Sequence, residues 1–207
     1  MSAAAASSRT THRGEEAAHC CRLLAFVVAD LIARGPTEGA SGRSQADFRR
    51  SLDDALGRFA ALPPQPCDPS LPGTREPHLA AVSSVLALAR SESQGPERDW
   101  NWRSPAFRYA PSRVALQKGY VGSYCMDAMA MALYRCYHSE DYMDAILRAA
   151  GMGGDADSVA SIVGQIAGAY YGHDVIPIQW MQAMFRWEQG AVLRRIIELH
   201  QIAVDEV

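Results

Sequence analysis

The chain has 207 residues, 48% hydrophobic and 21% charged, with 20 basic residues against 23 acidic ones for a formal charge of −3. That length predicts one domain with a sizeable core. The near-neutral balance excludes a basic nucleic-acid clamp and a polybasic membrane-surface protein, and no apolar run approaches the ~20 residues of a membrane span. The five cysteines (Cys20, Cys21, Cys67, Cys125, Cys136) are odd in number, show no CxxC spacing and follow no apolar signal segment. They predict reduced thiols in a cytoplasmic or otherwise intracellular protein.

In chain order, residues 1–8 (MSAAAASS) read as a disordered start. From Glu15 to Arg34, apolar residues at Ala17, Cys21, Leu24, Val28 and Leu31 keep the three-and-four spacing of a helical face, and Gly35-Pro36 stops it. A second helix is predicted over 44–62, capped by Ser44 with Asp47 three residues on. Residues 63–77, with six prolines, read as an irregular connection. Leu79–Ala89 is again helical. Residues 91–119 interleave Trp100, Trp102, Phe107 and Tyr109 with arginines. The expectation is a packed loop with Arg covering aromatic faces rather than a base-stacking surface. Helices follow after Gly122, over 140–150 and 157–172, then over 178–188 and 190–203. No period-two strand and no repeat appears, so the fold class is all-α. His19, His78, His138 and His200 show no ligand spacing and read as surface or capping residues. Trp180 and Trp187, seven apart, read as one buried stripe.

The segment that carries chemistry is Gly153-Gly154-Asp155-Ala156-Asp157-Ser158, running into VASIVGQIAGAYYG. Two glycines allow a sharp turn. Two carboxylates and a hydroxyl are oxygen donors of the kind that Mg²⁺ or Ca²⁺ takes. Asp and Ser before a helix are also the commonest N-caps, which accounts for one of these residues but not for both carboxylates. An EF-hand is excluded, because it needs more ligands and a Glu at loop position twelve. Ala160, Gly164, Gly168 and Gly172 recur every four residues. Each interior glycine costs about 1 kcal/mol relative to alanine, and the side-chain-free face they make lets another helix approach.

GGDADS with its glycine helix and HDVIP resembles the C-terminal signature of the ADP-ribosylglycohydrolases. Two further blocks are similar to that family: Gly119–Tyr124 with Met126-Asp127-Ala128, and Ser8-Arg9-Thr10-Thr11-His12 with the helix after it. The resemblance covers roughly half of the chain. It implies an all-α helical bundle with a cleft for two divalent metals, usually Mg²⁺, that removes ADP-ribose from modified proteins or small acceptors. By residue, it implies Asp155, Asp157 and Ser158 as metal ligands, His12 near bound ADP-ribose, and Gly122, Ser123 and Tyr124 along the diphosphate and ribose. Neither the family's Gly-Asp-rich opening helix nor its Thr-Asp-Asp motif appears. The chain therefore reads as the C-terminal part of the fold (9–207, with an irregular insertion at about 35–118). Only half of the metal ligands are present, and the catalytic residue is unassigned. Self-association or a complementing chain is the expected route to a full site. The alternative is an inactive family member that binds ADP-ribose or acts as a scaffold.

Overall fold

The computed structural model describes residues 2–34, 43–64, 75–107 and 123–205. Gly122, Cys67, Tyr109 and most of the two Gly/Pro-rich connections lie outside the described residues. Nine α-helices and no strand occur among the described residues: α1 Ser2–Arg9, α2 Glu15–Arg34, α3 Gln45–Ala60, α4 Arg75–Arg90, α5 Cys125–His138, α6 Tyr142–Ala150, α7 Ala156–Tyr171, α8 Ile178–Glu188 and α9 Ala191–Asp205. The all-α expectation holds. The disordered start does not: residues 2–9 form α1, which packs on α2 and buries Ala5. Its alanine run supplies helix propensity, and tertiary contact supplies what an eight-residue helix lacks alone.

The chain forms two compact units, Met1–Gly172 and His173–Val207, where composition suggests one domain. In the first, α2 is the hub and packs against α1, α3, α4, α5 and α7. Its Ala18, Leu23, Val27 and Leu31 are buried at helical spacing. Every residue of α5 from Met126 to Leu133 is buried, the carboxylate of Asp127 among them. Ser44 caps α3 by accepting the Asp47 backbone N–H at 3.2 Å, and Asp141 caps α6 through the Asp144 N–H at 2.8 Å. The described part of the aromatic segment, up to Phe107, is a packed loop: Trp100 and Trp102 are fully buried, Trp102 Nε1 donates to the Leu88 carbonyl at 2.7 Å, and the Arg103 guanidinium lies 4.3 Å above the Trp102 ring.

On α7, a Cβ at Gly164 would stand 3.6 Å from Ile146 of α6, whereas one at Gly168 would meet nothing within 4 Å. The 3.6 Å at Gly164 is ordinary van der Waals contact, so neither glycine is required by a close helix approach.

The second unit is a helical hairpin, α8 and α9. Gln189 (φ 51°) and Gly190 (φ 79°) turn it, and a Cβ on Gly190 would collide with Phe185 at 2.9 Å. The Trp180/Trp187 stripe is not buried. No residue of α8 is buried and Trp187 is 88% exposed, because its helical periodicity is not matched by a packed partner for that face.

Candidate functional site

The turn before α7 is built by Gly153 (φ 78°) and Gly154 (φ 63°), both in the left-handed region that favours glycine. Asp155 occupies the N-cap position, but its side chain makes no capping bond. Asp155 is half-buried, and Asp157 and Ser158 are exposed. None of the three side chains has a hydrogen-bond or ion-pair partner among the described residues. Side-chain capping therefore does not explain this triplet. Three oxygen donors stand uncommitted at one helix terminus.

Four residues further along α7, Ile162 lines a cavity of about 430 Å³ together with His12, Cys20, Cys21, Ser123 and Tyr124. That volume lies within the range of small-molecule pockets. Its floor is apolar, from Leu24, Ala128 and Met129. His12 also borders a second cleft of about 560 Å³ lined by Thr10, Thr11 and Gln165. The fold thus brings His12, Ser123 and Tyr124 to one cavity. Ser158 lies one helical turn N-terminal to Ile162, on the same side of α7.

His12 is exposed, and its Nδ1 lies 2.9 Å from Thr11 Oγ1. The Thr11 hydroxyl donates to the Ser8 carbonyl at 3.3 Å. This bonding assigns the ring proton to Nδ1 and leaves the lone pair on Nε2. The Tyr124 hydroxyl donates to Glu16 of α2 and accepts from Arg98 Nη2 at 3.1 Å. Arg98 Nη1 also donates to Glu16 at 2.8 Å. Burial, and then the Glu16 carboxylate, push the Tyr124 phenol above its ordinary value, so it stays protonated. What Tyr124 offers the cavity is its ring and backbone, with the hydroxyl already used to hold it in place. Behind it, Cys20 and Cys125 are hydrogen-bonded. That bond, then burial, raises the Cys20 thiol, and the same bond lowers Cys125 against burial. Cys20, Cys21, Cys125 and Cys136 are free thiols.

A second cluster was not foreseen. His19 and His78 are 2% and 3% exposed, not surface or capping residues. With Glu15 they place three ligand-type atoms within 4.8 Å of one another. Glu15 opens α2, His19 lies one turn on, and His78 comes from α4. The Arg9 guanidinium, at the end of α1, binds both Glu15 oxygens, with Nη2 to Oε2 at 3.0 Å. Burial pushes Glu15 up, but the Arg9 and His78 hydrogen bonds outweigh it and hold the carboxyl below its ordinary value. The separation of 59 positions between the histidines hides this pairing from any local pattern.

A family model for ADP-ribosylglycohydrolases matches residues 1–205. The chain belongs to that family. A stretch of 66 residues of this family member is 42% identical to ADP-ribosylarginine hydrolase Tri1 of Serratia proteamaculans, covering 32% of the chain and 18% of that protein. ADP-ribosyl-[dinitrogen reductase] glycohydrolase of Rhodospirillum rubrum is 28% identical over 86 residues, 42% of the chain and 29% of the relative. Human ADP-ribosylhydrolase ARH3 is 41% identical over 51 residues, 25% of the chain and 14% of the relative. The matches therefore span less than a third of each of these relatives. No solved structure matches the chain. None of the helices among the described residues is long and apolar enough to cross a membrane.

Proposed function

We propose that this chain hydrolyses the glycosidic bond between ADP-ribose and a protein side chain or small acceptor, with Mg²⁺ as the metal. The observation that carries this reading is the uncommitted triplet Asp155, Asp157 and Ser158, placed on the helix that also lines the His12–Ser123–Tyr124 cavity. Two carboxylates and a hydroxyl are hard oxygen donors, which suit Mg²⁺. Asp155 and Asp157 neutralise its charge, and their own helix terminus, whose dipole would repel a cation, is offset by their two negative charges. Three donors fill half of an octahedral shell. Water, substrate or further polypeptide supplies the rest. A cation held there provides Lewis acidity at the ribose hydroxyls.

The remaining roles fall to the cavity. Its apolar floor receives the nucleoside, and Ser123, with Gly122 by sequence, offers donors to the diphosphate. His12 presents Nε2 as an acceptor for a ribose hydroxyl. Glu16 and Arg98 keep Tyr124 in position along the ribose. The partners implied are ADP-ribose and ADP-ribosylated proteins, cleaved through an oxocarbenium-like transition state.

The test is ADP-ribose release from Arg- and Ser-ADP-ribosylated peptides, with Mg²⁺ and with chelator, for the native chain and Asp157→Ala. Release that needs Mg²⁺ and falls at least ~100-fold in the variant is expected. Release that survives both chelator and the substitution overturns the reading. A folded chain that binds ADP-ribose without releasing it from peptides is the binding protein of the alternative.

A further inference from the structure

The Glu15–His19–His78 cluster carries an inference independent of the proposed hydrolase. Glu15 Oε2 lies 3.0 Å from His78 Nδ1 and 3.9 Å from His19 Nε2, and the two ring nitrogens are 3.3 Å apart. A tetrahedral ion with metal–nitrogen bonds of about 2.0–2.1 Å separates its ligand atoms by roughly 3.3 Å. The three atoms therefore outline one face of such a tetrahedron. We propose that Glu15, His19 and His78 form a site for one divalent cation of the zinc class, joining α2 to α4, with water at the fourth position.

Proton accounting supports a cation at this position. The Arg22 guanidinium donates from Nη1 to His19 Nδ1 at 3.0 Å, and it has no lone pair to accept in return. The neutral His19 ring then carries its proton on Nε2, pointing into the triangle. His78 Nδ1 is now asked to accept from His19 and to donate to Glu15, and one nitrogen cannot do both. Without a cation, the triangle sets either two protons or two lone pairs against each other. A cation at its centre is met by lone pairs from all three atoms.

To bind it, His19 must move its proton to Nδ1, and Arg22 must withdraw. The Arg22 Nε has no partner among the described residues, and Arg22 lines a cavity of about 30 Å³ with Phe59, Leu62, Val82 and Val85. Arg9 orients the Glu15 carboxylate from behind, as outer-shell partners of metal ligands do. The two guanidiniums also repel a cation, so the site binds more weakly than a thiolate zinc site. Two imidazoles and one carboxylate select zinc over Mg²⁺, which separates this site from the oxygen donors on α7.

The experiment titrates the full chain, stripped of metal, with Zn²⁺ against a chromophoric chelator, and with Co²⁺ for the visible band of a tetrahedral ion. One equivalent is expected. Glu15→Gln and His78→Asn should weaken binding at least tenfold, and Asp155→Asn/Asp157→Asn should leave it unchanged. Arg22→Gln keeps all three ligands and offers an acceptor to His19 Nδ1–H, so it should bind severalfold more tightly. If the ligand variants fail to fold, Arg22→Gln decides alone, and unchanged or weaker binding overturns the proposal. So does a folded native chain that takes up no Zn²⁺, or binding that survives intact in Glu15→Gln and His78→Asn.

Discussion

Two groups of polar side chains in this molecule are opposites. Asp155, Asp157 and Ser158 lie within four residues of one another, open to solvent or half-buried, and bonded to nothing among the described residues. Glu15, His19 and His78 come from two helices, are nearly buried, and are bound to each other and to Arg9 and Arg22. A polar group that makes no intramolecular bond contributes little to the fold and is free to take an external ligand. A polar group taken out of water must keep its bonds or cost stability. The first set should therefore govern activity, and the second should govern folding.

The largest effect that could break this contrast is on turnover. Asp157→Ala should lose at least ~100-fold in ADP-ribose release, about 3 kcal/mol of barrier, while its melting temperature moves by no more than an ordinary surface substitution allows, ~0.5 kcal/mol. The reverse profile would place Asp157 with the structural residues. His78→Ala should do the opposite in denaturant, losing about 2–3 kcal/mol because a buried ring and its contacts to Glu15 and His19 are removed. A loss under ~0.5 kcal/mol would show that the cluster does not hold α2 to α4.

A third carboxylate sharpens the rule. Asp30 of α2 accepts from Arg58 Nε of α3 at 2.9 Å, and the Arg58 hydrogen bond holds its carboxyl below the ordinary 3.8. A depressed folded pKa means that the stabilisation is present above pH 3.8 and is lost as the pH falls below it, through the folded value. Unfolding free energies from urea titrations taken from pH 6 downwards should drop by about 1 kcal/mol more in the native chain than in Asp30→Asn over that range. Equal slopes would remove Asp30 from the committed set. The smallest effect concerns the helix beneath the open turn. Gly168→Ala meets empty space at helical φ and should stabilise the chain by about 0.5–1 kcal/mol without changing turnover. A destabilised variant would mean that the α7 face is more tightly used than the packing shows.

Much of the α-helical organisation was legible because helices write themselves in local code. The extent of α2, the Ser44 cap and the Gly153-Gly154 turn are each decided within a few residues and fall where local pattern placed them, whereas the buried face of α2 runs through Ala18, Leu23, Val27 and Leu31, beside the Ala17–Cys21–Leu24–Val28 stripe that the spacing predicts. The misreadings share one cause. Residues 2–9 look structureless because their alanine run has no partner in sequence, yet α2 provides one. Trp180 and Trp187 look like core because spacing reports a shared face and not whether anything covers it.

The candidate site divides the same way. The Asp155–Ser158 triplet is a contiguous motif, so its residue types and spacing could be read directly. The convergence of His12, Ser123, Tyr124 and Ile162 on one cavity, and the meeting of His19 with His78 across 59 positions, could not. Helical periodicity fixes which side of a helix is apolar, over about 3.6 residues per turn. Which helices face one another, and hence which histidine finds which carboxylate, is decided by how those faces pack, and only the folded chain contains that answer.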